Sequence, residues 1–412
     1  MRTQAKQSLR FTGLRLEQWR NFSNVDVALQ RRVFLVGPNA SGKSNLLDAF
    51  RFLHDIVALG GGFQEAVRKR LGISRIRCLA ARRYSDILVS VRLGDEVDDH
   101  VWEYRLRFSQ DNLRRPVLKS EEILRHGTEI MLQRPNDADK ADEARLTQTY
   151  LEQVSVNKEF REVADFFLSV RYLHIVPQLV RDPDRSVGLK NDPYGGDFME
   201  QIAVKPERTR TAWLKRICHA LSIAAPQLKE LEFYRDEARG KPHLRGKYEH
   251  WRPQGAWQDE DSFSDGTLRL IGLLWAALDG SGPLLLEEPE MSLHPDVVRF
   301  IPQTLARIQR HSGRQVMLST HSSDLLRDEG IGTDEVLLLI PQQEGSAVRI
   351  ANEFREVRDL LDGGSSLADV VIPLTRPQDA DQLPLSLYAG VSRTGVRRTK
   401  SRRVEHLRLP GY

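Results

Sequence analysis

The sequence predicts an α/β fold assembled round a phosphate-binding loop, with a mixed sheet that is parallel at its core, an antiparallel lobe and a helical insertion. Three observations carry that prediction. The apolar run Arg32-Val33-Phe34-Leu35-Val36 leads into Gly37-Pro38-Asn39-Ala40-Ser41-Gly42-Lys43-Ser44, after which Leu46, Phe50, Leu53 and Val57 recur at helical spacing. A second apolar run, Leu284-Leu285-Leu286, ends in Glu287 and Glu288, as a buried parallel strand does when it delivers acids to the carboxyl edge of its sheet. Trp102, Tyr104, Leu106 and Phe108 alternate with Arg105 and Arg107, the pattern of an antiparallel strand with one buried face.

Taken in order, residues 9 to 36 read as two alternating strands ahead of the loop strand, one round Leu14-Arg15-Leu16 and one carrying Val25, Val27 and Leu29. The loop helix follows, and Gly60-Gly61-Gly62 breaks it. Ile87 to Val91 and Trp102 to Phe108 are strands of the antiparallel lobe. Asn136 to Thr149 is polar and reads as a surface loop or lid tip. Helical patterns dominate from Tyr150 to Leu173 and from Pro206 to Leu221, with loops at Asp182-Pro183-Asp184 and Asn191 to Gly196. No heptad runs long enough for a coiled coil, and no repeat is apparent. Val336 to Ile340 and Ala347 to Ile350 flank a turn and predict a hairpin, followed by a helix over 352–361 that Gly363-Gly364 stops. The expected division is 1–120 and 256–375 for the two halves of one domain, 121–255 for the insertion, and 376–412 for a basic, poorly ordered tail.

Composition narrows the class of molecule. With 412 residues, 40% hydrophobic and 29% charged, the chain suits a soluble protein of two or three lobes. No apolar run approaches the roughly 18 residues that span a bilayer; the longest, Leu268 to Leu278, stops at Asp279. Nor does the opening Met1-Arg2-Thr3-Gln4-Ala5-Lys6 have the apolar core of a signal peptide, so the expectation is a cytoplasmic protein without a membrane partner. Cys78 and Cys218 stand apart without metal-ligand spacing, which predicts buried reduced thiols. The net charge is +4, and basic residues gather at Arg68, Lys69, Arg70, Arg75, Arg77, Arg82 and Arg83 and in the tail from Arg393 to Arg408. Each cluster suits either DNA phosphates or a solvated face.

The loop residues carry the chemistry. Glycines at 37 and 42 let the backbone curl until successive N–H groups point inward, and the helix start adds its partial positive charge for a bound anion. A glycine turn with a solvated lysine would use the same letters, but the strand before and the helix after decide for phosphate. Gly37, Pro38, Asn39, Ala40, Ser41, Gly42, Lys43, Ser44 and Asn45 are therefore the expected phosphate-binding residues, with Lys43 reaching the β- and γ-phosphates and Ser44 holding Mg²⁺. Glu287 would bind the same ion, and Glu288 would orient and polarise the attacking water. Ser264-Asp265-Gly266-Thr267 opens a helix marked by Leu268, Ile271, Trp275 and Leu278. That helix start could face an anion or be a plain N-cap. His321, in Ser319-Thr320-His321 after another short strand, is the candidate donor to a γ-phosphate.

The order of these motifs, with Pro289-Glu290-Met291-Ser292-Leu293-His294-Pro295 after the paired acids, resembles the P-loop NTPases of the ABC-ATPase type, in the SMC, RecF and OLD group. More closely it is similar to compact bacterial "predicted ATPase" proteins of the AAA family. The likeness covers about 9 to 60, where Leu14 to Phe22 fits the family's opening strand and Asn-Phe turn, and 258 to 325. It implies ATP and Mg²⁺ as cofactors, Glu288 and His321 as catalytic residues, and a homodimer that forms on ATP. In such a dimer the signature residues of one copy, here Ser264 and Gly266, close over nucleotide held by the Walker A loop of the other. Glu287 stands where transporters and SMC proteins have Asp, Asp265 replaces a signature glycine, His294 falls at the D-loop position, and Gln64 is the glutamine offered for the Q-loop. The function implied is an ATP-hydrolysing switch in DNA maintenance or in defence against phage or plasmids. Its effector, a nuclease or Toprim-type protein, would be encoded separately, because residues after 330 lack the paired aspartates of a Toprim domain. The alternatives are an ATP-gated DNA clamp with no effector enzyme and a transporter ATPase subunit; the unmatched insertion and the Glu287-Glu288 pair argue against the latter.

Overall fold

The two alternating runs before the loop form a hairpin, Arg10–Trp19 (β1) and Phe22–Ala28 (β2), and the apolar run after them is Arg32–Val36 (β3). The computed structural model describes residues 9–81, 86–182, 192–237, 240–251 and 255–376. All but Arg376 belong to one unit, Met1–Thr375. Four further strands, Ile87–Gly94 (β4), Trp102–Gln110 (β5), Pro116–Arg125 (β6) and Glu129–Arg134 (β7), complete an antiparallel sheet in the order β2-β1-β4-β5-β6-β7. Trp102, Tyr104, Leu106 and Phe108 are all buried, as the alternation predicts.

The second half of the chain adds Arg171–Leu173 (β8), Leu228–Arg235 (β9), Pro242–Tyr248 (β10) and Ala256–Asp259 (β11). Leu284–Glu287 (β12), Val316–Thr320 (β13), Val336–Gln342 (β14) and Gly345–Ile350 (β15) follow. The core sheet runs β15-β14-β3-β13-β12-β8, parallel except for the β14–β15 hairpin, and β11-β10-β9 is a small antiparallel sheet.

The core sheet is buried on both faces, which is why its strands read as unbroken apolar runs. Val33, Leu35, Leu285, Met317 and Leu337 join a cluster with the antiparallel sheet and with Leu46, Phe50 and Leu53 of the helix Lys43–Val57. Phe34, Val36, Leu286, Leu318 and Leu338 face the other way, onto Leu268, Ile271 and Trp275 of the helix Asp265–Leu278. Each such side chain contributes about 1.5–3 kcal/mol by burial. The parallel register sets Thr320 beside Val36 and Glu287 beside Ser319, so the carboxyl ends of β3, β13 and β12 lie at one edge.

Between 121 and 255 the expected helices are present at Arg161–Leu168 and Glu207–Ala224, and the same stretch carries strands as well. One of them, β8, lies at the end of the stretch read as helical; three residues are too few to show an alternation, and pairing with β12 makes them a strand. The segment read as a surface loop at Asn136 holds a short helix, Asp137–Ala141, closed by a capping box between Asn136 and Asp139. Asp139 is fully buried because Arg134 meets it with Nε and Nη2, both at 2.9 Å. The predicted hairpin is β14–β15; the helix after it begins at Arg355 rather than 352, and a further helix, Leu367–Leu374, follows. Cys78 and Cys218 are both free and buried. Among the described residues no helix is long and apolar enough to cross a membrane. The reading of 377–412 as a tail, and the basic positions Arg82 and Arg83, lie outside the described residues.

Candidate nucleotide site

The loop after β3 adopts the curl its glycines allow. Ala40 has φ 64° and Gly42 φ 101°, and the helix begins at Lys43. A Cβ on Gly42 would run into the Asn21 amide, and one on Gly37 would come within 2.6 Å of Ser41 Oγ and 2.8 Å of the Leu339 carbonyl. Packing therefore requires glycine at both positions, and at Gly42 the backbone dihedral requires it as well. Asn21, in the turn between β1 and β2, donates from Nδ2 to the Ser41 carbonyl at 2.8 Å and to Ser346 Oγ at 3.0 Å. It also accepts Asn45 Nδ2 at 2.9 Å, while Trp19 Nε1 donates to the Asn45 carbonyl at 2.8 Å. The loop is thus clamped from behind by a turn distant in sequence.

Lys43 is buried and lies back along the loop, donating to the Gly37 carbonyl at 2.9 Å and the Pro38 carbonyl at 3.2 Å. Burial pulls its ammonium below the ordinary lysine value, against the opposing charges of Glu288, Glu290 and Glu287. The Ser44 hydroxyl donates to Glu287 Oε1, and the Tyr172 hydroxyl, from β8, donates to Glu287 Oε2. Burial and the Glu287 charge hold that phenol well above its usual range. Glu288 has φ 44°; its N–H bonds the Ser319 carbonyl at 3.1 Å and Ser319 Oγ at 3.2 Å. Its Oε1 lies 3.3 Å from His321 Nδ1 and 3.9 Å from Lys43 Nζ.

These residues suit a Mg²⁺-nucleotide. Ser41 Oγ is buried in the loop with no partner among the described residues, and the Lys43 ammonium is held only by the loop's own carbonyls and nearby acids. Ser44 and Glu287 bring one hydroxyl and one carboxylate together, the sparse protein ligation that Mg²⁺ takes when phosphates and waters fill its remaining positions.

Of the residues expected from sequence, Lys43, Ser44, Glu287, Glu288 and His321 converge through these contacts. Ser264 and Gly266 do not join them. Ser264 Oγ accepts the Thr267 N–H at 3.1 Å and caps the helix Asp265–Leu278; a Cβ on Gly266 would come within 2.5 Å of the Ser292 carbonyl. Asp265 pairs with Arg181 at 2.7 Å. Arg269, one turn further along, is depressed by burial against the charges of Asp265 and Glu288. His294 caps the short helix Pro295–Val298 through Nδ1 and is well exposed. Gln64 is engaged elsewhere, its amide donating to the carbonyls of Pro116 and Thr147 at 2.9 and 2.7 Å. Tyr172, the clamp made by Asn21, and Glu290 were not read as site residues. Asn21 stood in the Asn-Phe turn and Glu290 in the run after the paired acids, but no local signal marked Tyr172.

Comparison with known proteins bears on the family and the fold. Residues 32–328 match the family model described as "AAA domain, putative AbiEii toxin, Type IV TA system". No curated protein matches the chain. Among solved structures, an SMC head bound to the C-terminal winged-helix domain of ScpA is similar at 13% identity and TM-score 0.51, over 82% of this chain and 96% of that one. An SMC head with an extended coiled coil from Pyrococcus furiosus, bound to the C-terminal domain of ScpA, gives 12% identity and TM-score 0.48 over 86% and 99%. The SMC head from Thermotoga maritima gives 14% and 0.42 over 83% and 98%. At such identities the likeness, argued from the first of these structures, concerns the fold.

Proposed function

The chain belongs to the AAA domain family whose model it matches over residues 32–328, and from that premise we propose that it binds ATP with Mg²⁺ and hydrolyses it as a two-copy switch. The observation that carries this reading is the convergence of Lys43, Ser44, Glu287, Glu288 and His321 at one edge of the core sheet. Gly37 to Asn45 cradle the phosphates, and Lys43 exchanges its loop carbonyls for phosphate oxygens. Mg²⁺, held by Ser44 and Glu287, supplies positive charge to the phosphate oxygens when bound. Glu288 accepts a proton from the attacking water, and His321 beside it donates toward the γ-phosphate. Ser264 and Gly266 touch their own helix and Ser292, and in this reading they act on the loop of a second copy.

The family description names an AbiEii toxin of a type IV system, which favours a role in defence over general DNA maintenance. In this reading 121–255 and 376–412 pass the nucleotide-driven change to a separate effector. The clamp alternative has less support. Arg68 is paired with Glu65, Lys69 with Asp55, and Arg70 with Asp48 and Asp55, so part of that cluster is already engaged by acids.

Two variants test the proposal. Lys43→Ala is expected to lower ATP affinity at least about tenfold by losing a charge-assisted contact, measured by titration calorimetry; unchanged affinity removes the loop assignment. Glu288→Gln is expected to bind ATP and persist as a dimer, because water activation is lost while binding survives. Its mass by light scattering should double only with ATP and Mg²⁺, and a constant mass rules out the two-copy switch.

A further inference from the structure

One carboxyl in the site is buried and only half satisfied. Glu290, two residues beyond Glu288, is 7% exposed. Its Oε1 accepts the Thr320 hydroxyl at 2.5 Å, and Thr320 Oγ1 accepts the Ser322 N–H at 3.0 Å. Its Oε2 is buried without a partner among the described residues. Thr320 and Ser322 flank His321, so this carboxyl holds the backbone on both sides of the histidine that faces Glu288 at 3.3 Å. A second clasp lies beside it, where the Glu288 N–H bonds Ser319. The exits of β12 and β13 are therefore fastened twice, once through Thr320, the residue before His321, and once at Glu288 itself.

An unsatisfied buried carboxyl oxygen carries a desolvation cost that an apolar side chain of similar size would avoid. Packing alone does not favour an acid here. Burial also pushes the Glu290 carboxyl up, against the Thr320 hydrogen bond.

We propose that Glu290 is a positioning residue for hydrolysis: through Thr320 it fixes the segment carrying His321 against Glu288, and so sets turnover without contributing to nucleotide binding. This rests on the ATPase reading above. Displacing a catalytic group by about 1 Å slows chemistry by up to about a hundredfold.

The test is steady-state ATP hydrolysis with Mg²⁺ by the full chain, run with Lys43→Ala as control and with thermal unfolding of every variant. Glu290→Leu and Thr320→Val should each lower kcat by about 10- to 100-fold with KM for ATP within about twofold of the parent. The double variant should be no slower than the worse single one, and Thr320→Ser, which keeps the hydroxyl, should recover the loss. Should Glu290→Leu fail to fold, the Thr320 pair carries the test alone. An unchanged kcat in Thr320→Val, or a rise in KM matching the fall in kcat, overturns the assignment while the Lys43→Ala control still upholds the ATPase. Absence of hydrolysis in the parent protein overturns both.

Discussion

Asp55 shows how the helix after the loop is anchored. Burial alone would lift this carboxyl, yet His54, Arg70 and Lys69 around it hold it well below the usual carboxylate range. Arg70 bonds Asp55 Oδ2 at 2.9 Å and Asp48 Oδ1 at 2.7 Å from an almost fully buried position. A carboxyl with a depressed folded value stabilises the protein above its unfolded value, and the contribution is lost as pH falls through the folded one. Arg70→Met should destabilise the protein by about 1.5–3 kcal/mol at neutral pH, because Asp55 and Asp48 lose their buried partner and keep only Lys69 and Arg20. Urea unfolding should show the gap to the parent narrowing as pH drops below about 4; a gap constant from pH 7 to pH 3 rules out this pairing as its source. At this scale the sequence revealed residue types and not partners. Arg68, Lys69 and Arg70 read as part of a basic cluster suited either to DNA phosphates or to a solvated face, and the fold engages each of the three with an acid.

Among the elements, the β1–β2 turn matters most to the site. Asn21 joins the loop at Ser41, the loop helix at Asn45 and the β15 strand at Ser346, so three elements meet on one amide. Asn21→Ala removes these bonds, each worth about 0.5–1.5 kcal/mol, and loosens the loop's backbone. The expected result is a loss of about tenfold in ATP affinity, roughly 1.4 kcal/mol, with a lower Tm; affinity within twofold of the parent would show that the loop holds its curl unaided. Alternation and helical spacing marked β1, β3, β5, β12 and the loop helix because each is long or strongly apolar. They did not mark β8, a strand only by virtue of its place beside β12, nor the turn of helix at Asp137, whose charged letters conceal a buried acid.

At the scale of the whole molecule, the proposed switch is complete only in two copies. Ser264→Ala keeps the Walker A loop and weakens the signature, losing about 1 kcal/mol of helix capping, so it should bind ATP and hydrolyse it slowly. Mixed in equal amounts with Lys43→Ala, it should regain about a quarter of parental activity, since half of the dimers are mixed and each mixed dimer holds one intact site. Activity no greater than the sum of the separate proteins would show that each chain works by itself.

What the sequence determined by itself is the chemistry of the edge: the glycine-lined loop, the acids ending β12 and His321 ending β13 are contiguous motifs, legible because their dihedral and hydrogen-bonding needs are local. Only the tertiary structure decided which groups those motifs meet. Tyr172 reaches Glu287 across 115 positions and Asn21 reaches Ser346 across 325, pairings set by strand order and register and not by composition. The half-satisfied Glu290 belongs to the same class, since burial and a missing partner are properties of the packed site and have no signature along the chain.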